Sequence, residues 1–288
     1  MSEFEEVEEE ISVEEKLQIT QHYLLSSPPG QFNEVLSDIR KIIPAEILPD
    51  SLAGGIARVS NLKNSKVVTS PSGKKVVLSQ AGEIDATHYL DSQTGSVFAI
   101  DHLSLSTSEA AVTPSTEFEA NEVMRGSLQT ALSNYITSNY PSEQSAAGAF
   151  TKDENTYILV ITGEKTSLKN FWSGRWTSSW TLTVDGSSCS ISGDIKVHVH
   201  YFEDGNLQLQ SNKSVPASTL QFSTENDLAQ KVVKHIQTQE AVLQSGLEEM
   251  YSGMSAETFR SMRRLMPITR TKMEWNVNAV RMVRQVRK

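Results

Sequence analysis

The sequence predicts an α+β chain: helices at the N-terminus, an antiparallel β-sheet covered by a long helix, and an amphipathic helical tail. Three observations lead there. Apolar residues keep helical spacing over the first fifty or so positions. Short β-branched runs divided by Gly, Pro and Asp-Gly turns fill the middle. An apolar stripe at helical spacing resumes after Thr224.

Ser12-Val13-Glu14-Glu15 has the form of a capping box, so a first helix is expected from there to about Leu25, stopped by Ser26-Ser27-Pro28-Pro29-Gly30. Phe32, Val35, Leu36, Ile39, Ile42 and Ile43 predict a second helix over 32–43. A third starts after Pro44 or Pro49, and the three suggest a small helical bundle. From Ile56 to about Leu105 the pattern is an antiparallel meander, with strands over 66–69, 74–79, 83–90 and 96–101. Pro114-Ser115-Thr116-Glu117 then caps a helix whose stripe is Phe118, Val123, Leu128, Leu132, Tyr135 and Ile136, closed by Pro141.

A second run of strands is expected from Thr156 to about Phe222. Its clearest piece is Lys196 to Phe202, a Glu203-Asp204-Gly205-Asn206 turn, and Leu207 to Gln210. Thr224 caps a long helix carrying Leu228, Val232, Ile236, Leu243, Leu247 and Met250. At about 25 residues and ~1.5 Å per residue, that helix is long enough to cross a whole sheet.

Composition bounds the function. The chain has 288 residues, 38% hydrophobic and 21% charged, which excludes disorder, collagen-like fibre and a disulfide scaffold as readings of the whole. Net charge is −9, which argues against nucleic acid as a partner. That average conceals a split. Residues 260–288 hold nine Lys or Arg against one acid, Glu274, so the last 29 residues carry +8 and the rest −17. One cysteine, Cys189, eight glutamates in the first 16 residues, and apolar runs far below the ~18 residues of a membrane span predict a soluble cytosolic protein.

Motifs for chemistry are weak. His198 and His200 share a strand face, as a metal site requires, but the spacing supplies no third ligand, and a polar sheet face is the plainer reading. Cys189, among serines, has no base or oxyanion hole that the sequence can place. Gly163-Glu164-Lys165-Thr166 ends like a phosphate loop but lacks the upstream glycine, and reads as a turn. Trp172, Trp176 and Trp180 recur every four residues and so face one side; packing under the long helix is preferred to a stacking platform. Nothing positive supports an enzyme, a cofactor or a metal.

The tail is different. Pro267 ends a helix bearing Arg260, Arg263 and Arg264. Beyond it Trp275, Ala279, Met282, Val283 and Val286 fall on one helical face, with Arg281, Arg284 and Lys288 opposite. A helix of about thirteen residues needs a partner surface to form fully. Burying the tryptophan and its aliphatic neighbours at ~1.5 to 3 kcal/mol each could support binding. An acidic protein, an anionic lipid surface, a calmodulin-like target or the chain's own acidic body all fit this pattern.

Four segments carry a resemblance. Pro28-Pro29-Gly30-Gln31-Phe32-Asn33-Glu34-Val35, Phe171-Trp172-Ser173-Gly174-Arg175-Trp176-Thr177-Ser178-Ser179-Trp180, Val199-His200-Tyr201-Phe202-Glu203-Asp204-Gly205-Asn206-Leu207 and Leu265-Met266-Pro267-Ile268-Thr269-Arg270-Thr271-Lys272 closely resemble the F-actin-capping protein alpha subunit family. The resemblance runs from about Glu14 to the tail. It implies an obligate heterodimer with a capping protein beta subunit, a sheet continuous across both chains, and a mobile tail or tentacle. It also implies calcium-independent binding to the barbed end of an actin filament in the cytoplasm and cytoskeleton, blocking subunit addition and loss without catalysis. Carried over, the actin-binding residues are Arg260, Arg264 and Arg270, joined by Lys272, Trp275, Met282, Val283 and Val286. Arg260 stands where some relatives have lysine, and Met266 replaces a leucine. The implied divisions are an acidic leader and helical stalk (1–58), a short-strand meander (59–112), a helix plus sheet half (113–222), the long helix across the sheet (223–259) and the basic tail (260–288). The alternative function is a tail serving mainly as an anionic-phospholipid-binding module, since phosphoinositides compete for the same cations.

Overall fold

The computed structural model describes residues 11–110, 122–203 and 206–253. Two units make up the chain, Met1–Ile236 and Gln237–Lys288.

Helix α1 spans Val13–Leu25 and opens on the expected capping box: Glu15 N donates to Ser12 Oγ (3.2 Å) and Ser12 N to Glu15 Oε2 (3.0 Å). At its other end the Ser26 and Ser27 hydroxyls donate to the last-turn carbonyls of His22 and Leu24, 2.8 and 2.7 Å away. Helix α2 is Phe32–Ile39, shorter than the spacing suggests. Pro44 disfavours helical geometry in the residue before it, so the chain leaves α2 in turns and Ile42 is exposed. Helix α3 is Asp50–Lys63. Leu24, Leu36, Leu48, Ala53 and Ile56 bury one another where the three helices meet.

The meander forms two small sheets. Strands β1 (Val67–Thr69) and β2 (Lys75–Val77) make a hairpin, and β3 (His88–Leu90), β4 (Val97–Ile100) and β5 (Thr107–Glu109) pair in that order. The expected strand over 83–90 is a strand only at its end. Asp85 Oδ1 accepts the N–H groups of Thr87 (2.8 Å) and His88 (2.9 Å), which turns the chain there. Val68, Val76, Leu78, Tyr89, Phe98 and Ile100 form the meander's core.

Helix α4 is Glu122–Asn139. Leu128, Leu132, Tyr135 and Ile136 are buried as expected, whereas Val123 is 65% exposed: the first turn meets the sheet through Arg125, which donates to Ala149 O at 3.2 Å. The cap at 114–117 and Phe118 lie outside the described residues.

The main sheet is five-stranded and antiparallel, in the order β10-β9-β8-β7-β6. Its strands are β6 (Gln144–Asp153), β7 (Thr156–Ser167), β8 (Trp172–Asp185), β9 (Ser188–Tyr201) and β10 (Leu207–Gln221). Alternation assigns its faces. One carries Leu159, Ile161, Trp180, Leu182, Ile191 and Ile195, each fully buried. Gln129 fixes α4 on this face, donating to Ala147 O (3.1 Å) and accepting from Ala149 N (2.8 Å). The opposite face carries Ala146, Phe150 and Val160, which pack with Val77 of the meander. Helix α5 spans Glu225–Gly253, with Asp227 N donating to the Thr224 cap at 3.2 Å. Within the first unit its residues Leu228, Ala229, Val232 and Ile236 are buried, and His235 meets the Trp180 ring edge-on at 6.0 Å. In the second unit the same helix runs on to Gly253, with Val242 and Met250 exposed. No described helix is long and apolar enough to cross a membrane.

Candidate functional site

The four segments singled out in the sequence are far apart along the chain, and folding brings three of them together. The Pro28–Gln31 loop leaves α1 and settles on the polar face of the main sheet. Gln31 Nε2 lies 3.2 Å from Nδ1 of His200 on β9, a buried ring. Next to it on β8 sits Arg175, whose Nε donates to Glu164 Oε2 of β7 at 2.8 Å. The other oxygen of Glu164 accepts Lys66 Nζ at 2.8 Å. Glu164 is therefore a buried carboxylate between two cations, joining the segment between α3 and β1 to two strands of the sheet. Burial is the largest influence on its carboxyl and pushes the pKa up. The Arg175 and Lys66 charges, with their hydrogen bonds, outweigh that and leave it below the usual carboxylate value.

Gly30 completes the junction. Its φ is +77°, which side chains rarely adopt, and a Cβ there would stand 3.1 Å from Glu164 Oε1. Phe171 and Phe202, from the second and third segments, stack edge-on at 6.1 Å.

This triad overturns one expectation. Gly163-Glu164-Lys165-Thr166 is no turn: it lies inside β7, with Glu164 opposite Arg175 and Gly163 opposite Trp176. Its charged and small residues mimic turn chemistry, but the ladder to β8 decides the backbone. The sequence signal that could have found it was the lone glutamate alternating with Thr162 and Val160 at the end of an apolar run.

Trp172, Trp176 and Trp180 do share one face. Trp180 is fully buried, and Trp172 and Trp176 are partly so. Gly193 stands directly opposite Trp180 on β9, where a Cβ would meet indole Cε3 at 2.5 Å. His198 and His200 share the other face. His198 Nε2 engages Gln208 Oε1 at 2.9 Å, and burial, the main cause, lowers its pKa. Cys189 is buried and its thiol pKa is raised by burial, which suits an inert thiol.

The second surface is the sheet edge. Strand β10 runs fifteen residues and, among the described residues, pairs only with β9. Its outer row of backbone groups is therefore open. A bulge between Val215 and Ser218, around Pro216, inserts one residue and resets the alternation, so that Leu220 meets Cys189 on the same side as Val215. The basic and apolar residues expected to bind, Arg260, Arg264, Arg270, Lys272, Trp275, Met282, Val283 and Val286, all lie outside the described residues, as does the fourth segment, 265–272.

Comparison with known proteins decides the relationship. The family model described as F-actin capping protein alpha subunit matches residues 20–285. The chain belongs to the F-actin capping protein alpha subunit family. Members of this family similar to it include the F-actin-capping protein subunit alpha of Caenorhabditis elegans, 32% identical over 272 residues covering 93% of this chain and 95% of that one. The Dictyostelium discoideum subunit is 33% identical over 272 residues, covering 92% and 94%. The Arabidopsis thaliana subunit is 29% identical over 297 residues, covering 98% and 96%. A solved structure described as a homodimeric actin capping protein alpha subunit from Plasmodium berghei has the same fold, with a TM-score of 0.74 over 90% of this chain and 99% of that one at 19% identity. The capping protein alpha fold is thus the one seen here, α+β with an antiparallel sheet.

Proposed function

We propose that this chain is the alpha subunit of a heterodimeric, calcium-independent capping protein that binds the barbed end of actin filaments and blocks subunit gain and loss. Family membership over residues 20–285 carries the reading. The charge split supports it: a tail of +8 on a body of −17 suits a target that presents acidic groups. Arg260, Arg264, Arg270 and Lys272 supply the encounter charge. Trp275, Met282, Val283 and Val286 supply an apolar stripe that sets the residence time. A beta subunit adds its own strand along β10, whose open backbone edge is suited to continuation of the sheet. The action is stoichiometric binding in the cytoskeleton and needs no catalysis or cofactor.

The test is a seeded barbed-end elongation assay on the purified heterodimer. Changing Arg260, Arg264 and Arg270 together to Ala should abolish the block while the heterodimer still forms by gel filtration. An undiminished block would overturn the assignment of these residues. Co-sedimentation of the same variant with phosphoinositide vesicles measures whether these cations also bind the competing lipid.

A further inference from the structure

Between the helical bundle and the polar face of the main sheet lies a cleft of about 400 Å³, whose floor extends onto β10. Its floor is built from two neighbouring cross-strand rows. Arg175, His198 and Gln210 form one, and Thr177, Lys196 and Asn212 form the next. Its wall is the pair of helix ends that α1 and α3 present, Leu25–Ser27 and Lys63–Asn64.

The charge balance there is one-sided. No carboxylate is among the residues lining the cleft. Lys63 on the wall and Lys196 on the floor are exposed, and neither enters an ion pair among the described residues. Beneath them Glu164 faces two cations, Lys66 and Arg175, so the buried group below adds a further positive charge. Arg175 gives Nε and Nη2 to Glu164, which leaves Nη1 as a donor. Two acids share this sheet face: Glu164, already held by Lys66 and Arg175, and Asp194, two residues from Lys196, which accepts the Ser214 hydroxyl.

One term opposes an anion. The C-terminal ends of two helices carry partial negative charge on their last carbonyls. At α1 that charge is damped, because Ser26 and Ser27 donate their hydroxyls to those carbonyls. At α3 Lys63 stands at the carbonyl end itself. Two ammonium groups without an ion-pair partner among the described residues, on the wall and on the floor of the cleft, outweigh that term. An isolated lysine on a sheet would be a solvated charge and nothing more. Two lysines across a concavity without acids raise the local potential and concentrate anions.

We propose that this cleft binds a phosphate-bearing anion, held between Lys63 and Lys196 over the Arg175 floor. The ligand class is a phosphate or polyphosphate group, carried either by a free soluble compound or by a lipid headgroup. The cleft residues are different from the tail cations of 260–288.

The full chain, purified with the subunit that pairs with it, is titrated with inorganic pyrophosphate by calorimetry at low ionic strength. Saturable binding is expected. Lys63→Ala with Lys196→Ala should weaken it about tenfold or more, in line with the loss of charge-assisted hydrogen bonds. Lys63→Arg with Lys196→Arg should retain it, and the same loss on Lys63→Ala with Lys196→Ala should appear in a background already carrying Ala at Arg260, Arg264 and Arg270. Both lysines are exposed, and matching thermal melts verify that the variants fold. Phosphatidylcholine vesicles with and without phosphatidylinositol bisphosphate identify the source. Vesicle binding that falls with the double lysine variant names a headgroup, whereas loss of pyrophosphate binding alone names a soluble phosphate. Absence of saturable pyrophosphate binding, or full affinity in the Lys63→Ala/Lys196→Ala variant, would overturn the proposal.

Discussion

Gly193 faces Trp180 across the β8–β9 ladder so closely that the indole occupies the space of a missing side chain. The ring then reaches His235 of α5. A methyl group at 193 would collide with the ring at 2.5 Å and with Ser179 O at 2.6 Å, and the second of these is backbone that cannot swing away. Gly193→Ala should therefore destabilise the fold by about 2 kcal/mol, the usual cost of overpacking a core. Denaturant unfolding followed by tryptophan fluorescence measures it, and a midpoint equal to wild type would show that the ring has room to move.

Glu164 couples stability to acid. Its folded pKa is lowered, so the stability it contributes is fully present above its ordinary value near 4.5 and is lost as pH falls through the lower folded value. Glu164→Gln leaves the buried Arg175 and the half-buried Lys66 without a counter-charge, and should cost about 3 kcal/mol near neutrality. The gap between wild type and variant should narrow as the pH drops below about 4.5. Urea melts at a series of pH values test the sign: a gap that widens in acid would contradict the ion-pair account.

Gly30→Ala probes the same junction from the loop side. The substitution forces a left-handed backbone on alanine and presses its methyl toward Glu164 Oε1. A loss of about 1 kcal/mol or more is expected. In a double variant with Glu164→Gln the two effects should not add, because the residues are in contact.

Backbone exchange tests the open edge. Outward amides of β10 should exchange fast in the isolated chain, since among the described residues they have no ladder partner. Addition of a beta subunit should protect residues 207–221 while leaving α1 nearly unchanged. Unaltered exchange along β10 would move the subunit interface elsewhere.

Cys189 offers a simple check on the packing. At 1% exposure, with its pKa raised by burial, it should resist a disulfide reagent in the native state and react once denatured.

What the sequence revealed depended on how local each signal was. The Ser12/Glu15 cap and the four-residue tryptophan period are decided by neighbours in the chain, and the structure keeps both. Strand β6 carries no local strand signal, because Ser145 to Ala149 is small and rich in alanine, without β-branched residues. Burial between α4 and the meander makes it a strand, and that is a tertiary effect. The Glu164 triad was hidden for the same reason: its partners lie 98 and 11 residues away. The tail was legible as charge and stripe, and its residues lie outside those the structure describes.

Among the described residues, the fifteen-residue edge of β10 is a surface without a covering strand. Pro216 and the bulge interrupt it at one point, and most of its length is left able to template another strand. A copy that meets no covering strand can recruit its own kind or be destroyed. If the proposed pairing holds, the amount of this chain that endures in a cell should follow how much covering strand is made alongside it, and overproducing it alone should yield inclusion bodies or rapid turnover.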